Sequence, residues 1–219
     1  MTNFGARHLR VVNPFRLAFR EARSAVGAAE ILKNAEEFSA LSEAVADCSL
    51  IIGTTAVRDR ALQQPLRQLG GEAASAVRAT LENGRVALLF GSEKTGLSND
   101  NFSYCHWLLN IPTRDENISM NLGQAVAVCL YELARSGTSD LHTLKVELAT
   151  GTQTQQISEC LFEALRISGY VKPGTSAMFE KKTRGLILRF NLEAYDAKLL
   201  LGMVRQILWK LRQGETAND

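Results

Sequence analysis

Three short apolar runs constrain this chain most: Ser49–Gly53 (SLIIG), Arg85–Phe90 (RVALLF) and Trp107–Ile111 (WLLNI). They do not alternate with polar residues, so they predict strands covered on both faces, as in a parallel sheet. Helix-prone stretches lie beside them. Glu72–Glu82 is stopped by Asn83-Gly84, and Met120–Arg135 carries the stripe Leu122, Val126, Leu130, Leu133. From Leu9 to Phe90 strand and helix alternate, which predicts an α/β fold, a parallel sheet with helices on both faces. Sheets of this kind bind ligands beyond the carboxyl ends of their strands. The loops Thr54-Thr55-Ala56, Gly91–Ser98 (GSEKTGLS) and Thr113–Ser119 are therefore the places to look for function.

Composition excludes several classes. No apolar run approaches the ~18 residues of a membrane helix, and no apolar segment follows a basic start as in a secretion signal. Cys48, Cys105, Cys129 and Cys160 form no CxxC pair and sit in or beside apolar segments, as buried reduced thiols do. His8, His106 and His142 show no metal-site spacing. The expectation is a soluble cytoplasmic protein without a membrane or metal partner. A net charge of +2 permits a nucleic-acid partner without arguing for one.

Before the first apolar run, Leu9–Val12 is a strand candidate closed by Asn13-Pro14. Arg16–Leu32 is helix-prone and sets Arg16, Arg20 and Arg23 on one face, either solvated or facing phosphates. Ser42–Asp47 is a short helix, and Val57–Gly71, with Arg58, Arg60 and Arg67, reads as an irregular connection. Thr54 and Thr55 hydrogen-bond either a ligand or neighbouring backbone. Ser119-Met120-Asn121 opens the Met120–Arg135 helix, its exposed N–H groups suiting a ligand unless Ser119 is simply an N-cap.

Beyond this part, Ser136–Gln156 reads as a linker with a short middle element, followed by helices only: Ile157–Ser168, Thr175–Asn191 and Leu192–Arg212, the last capped by Asn191. The division expected is an α/β domain over 1–137, a linker over 138–156 and a small all-α domain over 157–219. Leu199, Leu201, Leu208 and Trp209 widen the apolar stripe of the last helix, implying burial from two sides against a partner subunit or the main domain.

The Gly91–Ser98 loop imitates a phosphate-binding loop and fails the test. GxxxxGK(S/T) requires lysine after the second glycine, where this chain has Leu97, and Lys94 is misplaced within the loop. A dinucleotide GxGxxG is also absent. What remains is a tight loop with two glycines and one acid, Glu93.

Taken together, FGSEKTGLS, LLNIP and ISMNLGQAVAVCLYEL resemble the SpoU/TrmH family of the SPOUT superfamily of RNA methyltransferases. Asn13-Pro14 and the loop Gly53–Ala56 fit as well, and the helical tail is similar to the TrmJ-type subgroup. The resemblance implies a trefoil-knotted SPOUT domain, a homodimer, and methyl transfer from S-adenosylmethionine to a ribose 2′-hydroxyl of tRNA or rRNA. It implies a cofactor pocket of Thr54, Thr55, Ala56, Gly91, Ile111, Ser119 and Met120, with Glu93, Ser119 and Asn121 organising the active site. The alternative for Glu93 and Asn121 is loop bracing. Candidate RNA contacts are Arg16, Arg20, Arg23, Arg58 and Arg60, with Lys181, Lys182, Arg184 and Arg189 on the tail. The family's first motif, N-x-G-x-x-x-R-x-A, is expected before Met1–Ala6 (MTNFGA), and this sequence does not contain it. Impaired catalysis by this chain is therefore one expectation. A non-catalytic RNA-binding homologue is the alternative function.

Overall fold

A computed structural model describes residues 1–14, 29–56, 64–113, 120–135 and 147–216. In chain order the elements are β1 (Arg10–Val12), α1 (Ala29–Lys33), β2 (Glu36–Phe38), α2 (Leu41–Ala44), β3 (Leu50–Thr54) and β4 (Leu66–Gln68). They continue as α3 (Gly71–Leu81), β5 (Val86–Leu89), α4 (Asn99–Phe102), β6 (Trp107–Asn110) and α5 (Leu122–Arg135). Three helices follow, α6 (Gly151–Ile167), α7 (Ser176–Arg189) and α8 (Ala194–Thr216).

The strands form two parallel sheets among the described residues, β1-β2 and a four-stranded sheet in the order β4-β6-β3-β5. β3 is central, and its alternate residues separate two cores. Ile51 packs with Val45, Leu97, Phe102 and Leu108 on the side of α2 and α4. Leu50 and Ile52 pack with Ala73, Val77, Leu109 and Cys129 on the side of α3 and α5. Continuous apolar character thus reflects a strand buried on both faces, as expected. β5 differs. All four of its residues are only half-buried, because β5 borders the four-stranded sheet.

Several local expectations need correction. Val57–Gly71 is not irregular throughout, since β4 pairs with β6 through Leu66–Leu108, Arg67–Leu109 and Gln68–Asn110. Its few polar residues lack a strand pattern, and pairing with β6 supplies one. Helix α6 starts six residues before Ile157, inside the stretch read as a linker. Thr150 caps it by accepting from the Gln153 N–H at 3.4 Å, and Gln153 Oε1 accepts from the Thr150 N–H at 2.8 Å. Asn191 does not cap α8 as expected. It has φ 49°, a left-handed conformation, and its N–H donates to the Leu188 carbonyl at 3.2 Å, so it closes α7 instead.

The helical tail rests on the α2–β3 connection. At the start of α6, the Gly151 N–H donates to the Cys48 carbonyl and the Thr152 N–H to the Ala46 carbonyl, each at 2.8 Å. These satisfy donors that a helix N-terminus otherwise leaves open. Gly151 is required there, because a Cβ would collide with the Val45 carbonyl oxygen. Within the tail Ile157, Ile187 and Ala197 form a core with Leu200 and Leu201. The opposite side of α8 leaves Tyr195, Leu199, Met203 and Ile207 exposed, so among the described residues α8 is covered on one side. No helix among the described residues is long and apolar enough to cross a membrane.

Candidate active site

Three strand ends converge because β3 lies between β5 and β6 in parallel register. Gly53 pairs with Leu89, and Thr54 pairs with Leu109. The residues that follow, Thr55, Gly91 and Ile111, therefore leave the sheet at one end. The Thr54 hydroxyl donates to the Leu89 carbonyl at 2.8 Å, which ties two strand ends and assigns that hydroxyl to the backbone. The Thr55 N–H continues the β6 ladder to Leu109 at 3.0 Å. Asn110, overlooked in the sequence, is buried and donates its amide to the Thr55 carbonyl at 3.1 Å. Its signal was a polar residue closing an otherwise apolar strand. Buried amides need such a partner.

Packing beneath the loops explains the glycines. A Cβ on Gly53 would stand 2.8 Å from the Cys105 sulfur and 3.1 Å from Leu108. At Gly91 a Cβ would overlap the backbone of Gly96 and Leu97, so the two ends of the loop touch there. Gly96 has φ +67°, the left-handed region that side chains disfavour, and its N–H donates to the Ser92 carbonyl at 2.8 Å. The Ser92 and Thr95 hydroxyls lie 2.7 Å apart across the turn, and Leu97 anchors it by entering the core under Gly53. No backbone cradle with a following lysine is formed.

Glu93 projects from this loop to meet the start of α5. Asn121 donates its amide to Glu93 Oε1 at 3.3 Å, while its own Oδ1 accepts from the Gly123 N–H at 2.9 Å and the Gln124 N–H at 3.4 Å. Asn121 is thus the N-cap of α5, and it links the loop after β5 to the helix after β6. These bonds are those of the bracing reading, in which the pair ties the two loops together. Glu93 and Asn121 are both exposed, Met120 and Ile111 half-buried, and Ala56 exposed. Ser119 lies outside the described residues.

Of the candidate RNA contacts, Arg16, Arg20, Arg23, Arg58 and Arg60 also lie outside them. Arg184 must be removed from that set. It is 6% exposed, donates to the Ser103 hydroxyl at 2.8 Å, pairs with Glu180 at 3.0 Å and sits 4.0 Å over the Tyr104 ring. Its charge joins the tail to the α4–β6 connection. Lys181 pairs with Asp100 at 3.3 Å on the same seam, whereas Lys182 is exposed beside the Phe179 ring. Arg189 donates to Gln64 at 3.4 Å.

No group of three or more potential metal-ligating side chains occurs among the described residues. Burial pushes the Cys105 thiol up to about 12 and the Cys129 thiol up to about 11, so neither supplies a thiolate near neutrality. Small residues, backbone groups and one Glu–Asn pair make up the described part of the site. Such a set can hold and orient a small organic ligand.

The SpoU rRNA Methylase family model matches residues 1–131. A tRNA (cytidine/uridine-2′-O-)-methyltransferase TrmJ from Photorhabdus laumondii is 30% identical over 216 residues, covering 94% of this chain and 88% of its own. The Klebsiella pneumoniae enzyme of the same name is 31% identical over 218 residues, with 94% and 87% covered. Among solved structures, TrmJ from Z. mobilis superposes with a TM-score of 0.78 at 27% identity, covering 94% of this chain and 89% of that one. A methylase-family protein from Haemophilus influenzae gives 0.56 at 28% identity, covering 97% and 89%. With the family model spanning most of the α/β part and these relatives spanning nearly the whole chain, the protein belongs to the SpoU methylase family of methyltransferases.

Proposed function

We propose that this protein transfers a methyl group from S-adenosylmethionine to a ribose 2′-hydroxyl of tRNA. The observation that carries the reading is the Glu93–Asn121 tie, which fixes the loop after β5 to the N-terminus of α5 beside the converging ends of β3, β5 and β6. The residues fit the donor. A loop whose Gly91 leaves no room for a Cβ brings backbone, rather than a charged side chain, to the edge of the pocket. When bound, S-adenosylmethionine supplies an already activated methyl group. The chain's part is then placement. Thr54 and Asn110 hold the strand ends, Gly91 and Ile111 border the pocket, and Glu93 and Asn121 fix the two loops against each other. Rigid placement of this kind contributes to rate by removing orientational freedom before the reaction.

The similarity to TrmJ relatives supports tRNA over rRNA and disfavours a non-catalytic RNA-binding role. It also supports a trefoil-knotted α/β domain over 1–137 and a separate helical domain, which we carry over with the methyl donor. The exposed apolar side of α8 supports a homodimer. Lys182, exposed on α7, is retained as a candidate RNA contact.

The test is incubation with methyl-labelled S-adenosylmethionine and total tRNA or rRNA, followed by nucleoside digestion. Label in a 2′-O-methyl nucleoside from tRNA, lost in Asn121→Ala, is expected. Label on a base, or in rRNA alone, would overturn the reading.

A further inference from the structure

At the opposite end of the sheet lies a cavity of about 270 Å³ between the strand amino ends and the helical tail. Arg67 lines it from β4, His106 and Trp107 from the start of β6, and Arg189 and Asn191 from the end of α7 and the residues after it. Aliphatic wall comes from Leu50 and Leu148. None of the described residues that line it is acidic. We propose that this cavity binds a small phosphomonoester, its phosphate between the Arg67 and Arg189 guanidinium groups and the His106 N–H, and its organic part against the aliphatic wall.

His106 gives the site its direction. The side chain is 6% exposed, and its Nδ1 accepts the Ile51 N–H at 3.1 Å. An imidazole that accepts at Nδ1 while neutral carries its proton on Nε2. Burial keeps it neutral, lowering its pKa to about 4. It therefore offers the cavity a donor without adding charge. Arg67 stacks on the Trp107 ring at 4.8 Å from the centroid, an arrangement that leaves guanidinium edge donors available. Arg189 is steadied by Gln64, itself 4% exposed.

Charge argues for phosphate over carboxylate. Helices α3 and α7 both end near the cavity, each contributing roughly half a negative charge. Two guanidinium groups exceed that sum. A phosphomonoester carries about −1.5 to −2 near neutrality and offers three acceptor oxygens, against two on a carboxylate. The volume suits a ligand of sugar-phosphate size, at the small end of organic-ligand pockets. That phosphate could belong to a free metabolite or to the 5′ end of an RNA.

The test is calorimetric titration of the full chain with ribose 5-phosphate, with ribose as the neutral control, in saturating S-adenosylhomocysteine to keep the methyl-donor site filled. A short oligoribonucleotide with and without a 5′-phosphate forms the second arm. Phosphate-dependent binding is expected in at least one arm, weakened about tenfold or more by Arg67→Gln and by Arg189→Gln, the loss of a charge-assisted contact. Arg67→Lys, which keeps the charge, should retain part of it, and circular dichroism verifies that each variant folds. Binding only of ribose 5-phosphate assigns a free ligand, and binding only of the phosphorylated oligonucleotide assigns an RNA end. Absence of phosphate-dependent binding in both arms, or binding indifferent to both substitutions in folded protein, would overturn the proposal. These readouts do not depend on methyl transfer, so its failure would leave the proposal standing.

Discussion

At the carboxyl ends of β3, β5 and β6 the chain presents threonines, glycines, one glutamate and two asparagines, most of them exposed or half-buried. Around the amino ends it presents Ser103, His106, Arg184 and Gln64, each less than a tenth exposed. The first group is positioned by backbone, through the Gly91 contact, the Thr54 hydroxyl and the cap at Asn121. In the second, Ser103 and Gln64 are held by arginines of the tail, and His106 by the Ile51 N–H of β3. Polarity therefore means different things at the two ends. Glu93 and Asn121 stay exposed while they tie two loops together, whereas Arg184 is buried and commits its hydrogen bonds and its stacking face to joining the tail to the core.

The sharpest way to break this contrast is Gly91→Ala. Its Cβ would meet backbone of Gly96 and Leu97, which cannot rotate aside, so the loop must open at a cost of about 4 kcal/mol. Thermal or urea unfolding measures it, and a near-neutral substitution would contradict the close approach of the loop ends.

At the other end burial produces pH sensitivity. His106 is held to about 4, against its ordinary 6.5. Between those values the unfolded chain binds a proton that the folded chain does not. Stability is therefore lost as pH falls from about 6.5 to about 4, by on the order of 3 kcal/mol from this group. Urea unfolding across that range should show a slope that His106→Gln flattens. Equal slopes in the two proteins would contradict the buried neutral imidazole.

Asn121→Ala should separate chemistry from stability. Loss of the cap costs about 1 kcal/mol, whereas release of the loop from α5 lowers methyl transfer by about a hundredfold through misplacement. Glu93→Gln keeps an acceptor for the Asn121 amide and should be milder than Glu93→Ala. Initial rates on tRNA decide, and equal losses in the two Glu93 variants would remove the tie from the explanation.

Arg184→Met should have the smallest effect on chemistry. Losing its bonds to Ser103 and Glu180 destabilises by about 2 kcal/mol, while RNA affinity below the unfolding transition stays unchanged. A loss of RNA affinity in the folded variant would return Arg184 to the contact set.

Legibility in the sequence followed the same division. β3 and β6 were plain because a strand buried on both faces must be apolar throughout, and the loop glycines mark where backbone approaches backbone. Glu93 and Asn121 were visible through the family resemblance, and their mutual hydrogen bond was not, since they lie twenty-eight positions apart. β4 was illegible because Leu66-Arg67-Gln68 becomes a strand only by pairing with β6. The start of α6 carried a readable Thr-x-x-Gln signature at Thr150–Gln153, hidden among small polar residues that resemble a linker. Arg184 misled because a basic run fixes charge and not burial. Its neighbours, Ser103 and Tyr104, are about eighty residues away in the chain.

The most direct measurement is hydrogen exchange with and without saturating S-adenosylhomocysteine. Added protection is predicted at 53–56, 89–97, 108–113 and 120–125, the strand ends and loops around Gly91 and Asn121, with little change at 64–68, 103–106 and 184–191. Protection concentrated in the latter three segments would place the ligand at the amino end of the sheet and contradict the account.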